Sequence, residues 1–131
     1  MLEIIDKQHI QELQNHYSYS IDSGKYDNLD EMFTPNAIYN FITGFTDNLE
    51  ALKQTIREAL EPLKTSQHIN GNQWAEIEGD FAKAGCYFTV HMHREGLADG
   101  EHFEMGGRYD DELMRTSDAV SYTHLTLPTK A

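Results

Sequence analysis

The chain is poor in everything that staples or stiffens a small fold. It has 131 residues, one cysteine, three prolines and one tryptophan. The lone Cys86 excludes an internal disulfide and any multi-cysteine metal site, so packing must hold the structure together. Positive charge is equally scarce: ten Lys and Arg stand against 22 Asp and Glu, a net charge of -12. Such a surface repels phosphate backbones and anionic headgroups, so neither nucleic acid nor membrane is an expected partner. Apolar runs are short, and Met1-Leu2-Glu3 begins neither a basic nor a hydrophobic leader. A soluble, cytoplasmic protein is expected. A Walker loop, GxGxxG, HExxH, CxxC and GxSxG are also absent, which leaves phosphate-cradle, dinucleotide and common hydrolase chemistry without support.

What is present suits one α+β domain. Ile10, Leu13, Tyr17 and Ile21 recur at helical spacing and predict a first helix over Asp6 to Ser23, with Gly24 placed for a left-handed cap. Asp27, Leu29, Met32 and Phe33 suggest a short second helix ended by Thr34-Pro35-Asn36. Ala37 to Ile42 reads as a strand, and Leu49, Leu52, Ile56 and Leu60 define a third helix, N-capped by Thr46 or Asp47 and stopped before Pro62. From Thr65 the texture is that of antiparallel strands. Phe81 to Arg94 is the longest, with Ala84, Cys86, Phe88, Val90 and Met92 on one face and Tyr87, Thr89, His91 and His93 on the other. His102 to Arg115 returns beside it after a loop from Gly96 to Gly100.

Seven histidines and many carboxylates carry the available chemistry. Asp22 follows apolar Ile21 at the end of the first helical stripe, where its carboxylate can reach inward. A buried Asp that accepts from one ring nitrogen of a histidine fixes the tautomer and raises the basicity of the other, the arrangement needed to remove a proton beside a carbonyl or leaving group. His68 and His91 are the candidate partners. His93 reads as a solvated rim residue and Cys86 as core packing. A metal site from His91 and His93 is conceivable because residues i and i+2 share a strand face, but no metal is expected. Asp110-Asp111-Glu112 reads as a solvated run, and Arg108 can simply pair with nearby acids.

The runs Ile10 to Asp22, Ser23-Gly24-Lys25-Tyr26-Asp27-Asn28-Leu29, Met32-Phe33-Thr34-Pro35-Asn36-Ala37, Thr65-Ser66-Gln67-His68-Ile69-Asn70-Gly71-Asn72 and Gly106-Gly107-Arg108-Tyr109-Asp110-Asp111 occur in this order. Together they resemble the signatures of SnoaL-like domains in the nuclear-transport-factor-2-like superfamily. The resemblance covers roughly Ile5 to Thr116. It implies a cone-shaped α+β fold in which N-terminal helices pack on a curved antiparallel sheet and enclose an apolar pocket. By resemblance to members of the scytalone dehydratase and lindane dehydrochlorinase kind, His68 would be a general base oriented by Asp22, with His91 a second pocket histidine. Tyr17 and Tyr39 are candidate pocket donors, and Arg108 and Arg115 candidate stabilisers of a developing anion.

The implied activity is a cofactor-independent lyase or isomerase, dehydratase-like or polyketide cyclase-like, acting on a small hydrophobic or cyclic substrate. The alternative is a non-catalytic ligand-binding or oligomerisation module of the same fold. A homodimer or homotrimer is compatible with either reading. After Asp118 the pattern departs from the family. Residues 119–131 resemble translated sequencing-adapter read-through, so the domain is expected to span residues 1–118 and to lack its last strand.

Overall fold

The computed structural model describes residues 2–41, 44–96, 98, 100–116 and 120–126. Ile42, Asp118, Ala119 and residues 127–131, to which the sequence reading extends, lie outside the described residues. Helix α1 (Leu2–Asp22) leads through a 3-10 turn (Tyr26–Glu31) into β1 (Phe33–Phe41) and β2 (Gly44–Thr46). Helix α2 (Leu49–Leu60) follows, then β3 (Thr65–Glu78), β4 (Phe81–His93), β5 (His102–Arg115) and β6 (Val120–Thr126). The strands form one sheet in the order β2-β1-β6-β5-β4-β3, antiparallel except for the β1–β6 pair.

Local chemistry explains the boundaries. Gly24 takes φ +70°, the left-handed conformation a helix end needs, and the Lys25 N–H closes back on the Ser20 carbonyl at 2.9 Å. The cap of α2 is Asn48 rather than Thr46 or Asp47: its side chain accepts from the Ala51 N–H at 3.0 Å. Thr34-Pro35-Asn36 lies inside β1 instead of ending a helix. The register of β1 against β6 shifts between Phe33 and Ile38, so the missing N–H of Pro35 falls in the irregular stretch. Asn70-Gly71-Asn72 likewise does not break β3. Asn72 takes φ +51° at a shift of register between Gly71 and Trp74, and the strand bends there without ending.

The expected absence of a last strand is corrected. Val120–Thr126 lies between β1 and β5 and buries Tyr122 and Leu125 in the core.

The helices cover one face of the sheet. Tyr17, Ile21, Leu29, Met32, Phe33 and Tyr39 pack there against Ala84, Cys86, Phe88, Val90 and Leu113. Between α1 and the sheet runs a polar seam as well. The Gln14 amide donates to the Gly85 carbonyl, Asn70 donates to the Gln14 carbonyl and to Ser18, and Gln73 donates to Gln14.

Lys53 of α2 is 2% exposed yet charged. Burial alone would lower its pKa, but Asp30 at 2.5 Å and Glu50 and Asp27 at 3.2 Å reverse this and hold it above the usual lysine value. The three acids are themselves largely exposed, so water can solvate them if the ammonium is removed. Lys53→Ala, which also deletes the packed stem, is expected to cost about 2–3 kcal/mol, whereas Lys53→Met should stay within about 1 kcal/mol of the parent. Urea denaturation of both variants checks this; equal losses would place the effect in the charge and not in the stem.

Candidate active site

Helix α1 ends with its last residue, Asp22, aimed at β3. Both carboxylate oxygens are engaged: Ser66 Oγ donates to Oδ1 at 2.7 Å, the His68 backbone N–H donates to Oδ2 at 2.6 Å, and His68 Nδ1 lies 2.7 Å from Oδ1. The two side chains are 15% and 9% exposed. Burial pushes the Asp22 carboxyl up, but the hydrogen bonds from the His68 ring, the His68 backbone and Ser66 outweigh it and leave the group below its ordinary value. An ionised carboxylate only accepts, so Nδ1 of neutral His68 carries the proton and Nε2 holds the free lone pair.

A carboxyl whose pKa falls on folding stabilises the fold above its unfolded value and loses that contribution as pH drops through the folded one. Wild type should therefore exceed Asp22→Asn in unfolding free energy at pH 6, with the gap closing below about pH 4. Denaturant titrations at both pH values measure it; a gap that persists unchanged at pH 2 would mean that ionisation of Asp22 is not its source.

Strand register places His68 on the helix-facing side of the sheet. His68 pairs with Val90 and Val90 with Met105; one step away, Ser66 pairs with Met92 and Met92 with Phe103. Directly paired residues share a face, so His68 borders an apolar row of Val90, Met92, Phe103 and Met105. Val90 is buried, whereas Phe103 and Met105 are 40% and 45% exposed. The sheet runs past the helices here and leaves an open apolar surface beside the imidazole. Behind it the His68 ring lies 5.8 Å from Phe88, and Phe88 lies 4.9 Å from Tyr109.

The remaining sequence candidates separate. Tyr17 and Tyr39 are buried in the aromatic cluster behind the dyad, Tyr17 against Tyr109 and Tyr39 against Phe33. Burial and the Asp111 charge raise the Tyr17 phenol well above its normal range, and burial pushes Tyr39 up to about 12. Both stay neutral. His91 does not join the dyad: its odd position on β4 turns it to the opposite face from Val90, where it meets Glu104 and His102. Arg108 also faces outward, paired with Asp110 at 3.0 Å. Arg115 clamps Asp6 through both terminal nitrogens at 2.8 and 2.9 Å, far along β5 from His68.

Three residues escaped the sequence reading. Ser66 shares a strand face with His68 at i and i+2, a parity that would have identified it. Asp111, read as solvated, is 4% exposed. It sits opposite Ala84 on the covered face, while Asp110 and Glu112 alternate outward. His102 was seen only as the start of a strand. Cys86 is buried as expected, and its thiol is pushed up to about 12 by burial and the charges of Asp111 and Asp110.

Residues 2–126 match the SnoaL-like domain family. The chain is 32% identical over 118 residues to uncharacterized proteins of Mycobacterium tuberculosis and Mycobacterium bovis, covering 88% of this chain and 80% of theirs. Among solved structures, a Kribbella flavida protein superposes with TM-score 0.86 at 19% identity, covering 95% of this chain and 90% of that one. A Novosphingobium aromaticivorans protein provisionally assigned as a scytalone dehydratase gives 0.86 at 14%, covering 98% and 87%. A nuclear-transport-factor-2-like superfamily protein of Salmonella enterica gives 0.85 at 16%, covering 98% and 94%. These structures share the fold.

Proposed function

Since this chain belongs to the SnoaL-like domain family, we propose that it is a cofactor-independent lyase or isomerase in which His68 is the general base and Asp22 its positioning partner. The observation that carries this reading is the 2.7 Å contact between Asp22 Oδ1 and His68 Nδ1, which leaves Nε2 as the basic atom. Nε2 takes a proton from carbon beside a carbonyl or a leaving group. The electrons of that C–H bond become a double bond or an enolate, and in an elimination the leaving group departs with its own bonding pair. The imidazolium that forms is stabilised by the adjacent carboxylate.

The substrate is a small, mostly apolar cyclic compound. The open row of Met92, Phe103 and Met105 offers it burial without a compensating charge, while Tyr17, Tyr39 and Tyr109 remain neutral behind the dyad. The test is turnover of a panel of cyclic hydroxy-ketones and halides. His68→Ala should remove all activity, with ligand binding retained. Binding of the same compounds without turnover in the wild-type chain would instead make this a ligand-binding module.

A further inference from the structure

On the far face of the sheet from Asp22 and His68, four side chains with metal-ligand atoms form one patch. His91 and His93 share a face of β4, and in register with them stand Glu104 and His102 of β5: His91 opposite Glu104, His93 opposite His102. A His-x-His strand thus faces a His-x-Glu strand. The contacts are close. His91 Nε2 lies 3.2 Å from His102 Nδ1, His91 Nδ1 lies 3.3 Å from Glu104 Oε1, and the His93 ring stacks on His102 with centroids 4.4 Å apart. We propose that His91, His93 and His102 bind one divalent cation of borderline softness, of the zinc, cobalt or nickel kind, with Glu104 holding the far ring nitrogen of His91.

The separation of the ring nitrogens is the main support. Two imidazole nitrogens at about 2.0–2.1 Å from one tetrahedral ion stand roughly 3.4 Å apart, close to the 3.2 Å between His91 and His102. Without a cation, that pair must spend one nitrogen's proton on the other's lone pair. Three imidazoles suit such an ion and leave its fourth position to water, with Glu104 accepting from Nδ1–H of His91 as the outer partner that fixes the ring, whereas magnesium and calcium prefer oxygen. A chain with net charge -12 attracts cations over its whole surface. Among the described residues no three of these groups already converge on a point. Binding therefore requires the His93 ring to leave its stack and turn a nitrogen toward the His91–His102 gap, a rotamer change available to a partly exposed side chain.

Cobalt(II) is the probe, titrated into the full chain after treatment with a chelator. One equivalent should bind with a dissociation constant below about 100 μM and give visible ligand-field absorption. Protons compete with the ion for the imidazole nitrogens, so the signal should be lost on acidification. His91→Gln and His102→Gln should each weaken binding at least about tenfold, while His16→Gln, an exposed histidine on α1, should leave it unchanged. Absence of an absorbing one-to-one complex overturns the proposal, as does equal weakening by all three substitutions, which would mean scattered surface binding. Circular dichroism of each variant excludes misfolding as the cause of lost binding.

Discussion

Asp22→Asn is expected to lower turnover by about 10³-fold or more while the chain stays folded. The substitution keeps the shape of the side chain but replaces one acceptor oxygen by a donor amide. With the asparagine oxygen kept on the His68 backbone N–H, the amide nitrogen faces His68 Nδ1 and Ser66, where Oδ1 of the aspartate stood. Two donors cannot share that contact, so neutral His68 must move its proton to Nε2 and present Nδ1 as the acceptor. The basic lone pair then points at helix α1 instead of at the apolar row. The mutant loses the base by tautomer exchange, not by loss of the ring. Long-range ¹H–¹⁵N correlation spectra read the tautomer directly, before any substrate is known: protonated Nδ1 in wild type, protonated Nε2 in the variant. Identical ring-nitrogen shifts in the two proteins would sink the assignment of Asp22 as the positioning group.

Gly85→Ala should be among the most damaging single methyl additions in the sheet, at about 2–4 kcal/mol. A Cβ at this position would strike the Tyr109 backbone carbonyl, and it would stand 2.7 Å from Trp74 Nε1 and 2.9 Å from Trp74 Cε2. The indole lies across the glycine because the two residues are register partners on β3 and β4. A side chain can swing aside at small cost, whereas a strand carbonyl cannot move without pulling β5 away from β4. Trp74→Ala introduced beside Gly85→Ala should therefore restore only part of the lost stability, and the double-mutant cycle measures how much. Trp74 is the one tryptophan of the chain, so displacement of its ring will also show in the emission spectrum of the single variant. Full rescue by Trp74→Ala would show that the indole and not the backbone sets the limit.

Periodicity made much of this molecule readable in advance. The stripe Ile10, Leu13, Tyr17, Ile21 fixed the buried side of α1, and the alternation from Ala84 to Met92 fixed which face of β4 is covered. The same alternation already separated His91 from Phe88 and Val90. The family resemblance nonetheless drew His91 toward the pocket, and strand parity prevailed. Asp111 was missed for the converse reason: three consecutive acids look like a solvated run, but a strand turns every second one inward. Neither β2, three residues long, nor the β6 position carries a periodic signal strong enough to be found locally. The pairing of β6 with β1 is a long-range event that no local window reports. The Asp22–His68 contact was legible because each residue stood at a boundary of its element; Ser66, the third member, required register.

The dyad joins the end of α1 to β3 across 46 residues of chain. Its two halves belong to different elements, held together by the apolar stripe of Ile10, Tyr17 and Ile21 and, along β3, by a seam of side-chain amides. Hydrogen exchange should find α1 opening at lower free energy than β4 and β5, because α1 is docked through side chains alone, part of them polar, whereas each of those strands is paired on both edges. The base would disappear in that opening while the sheet is still intact. Heat inactivation would then run ahead of the calorimetric transition. The working temperature limit of the protein would be set by the docking of one helix, and stabilising the sheet further would not raise it.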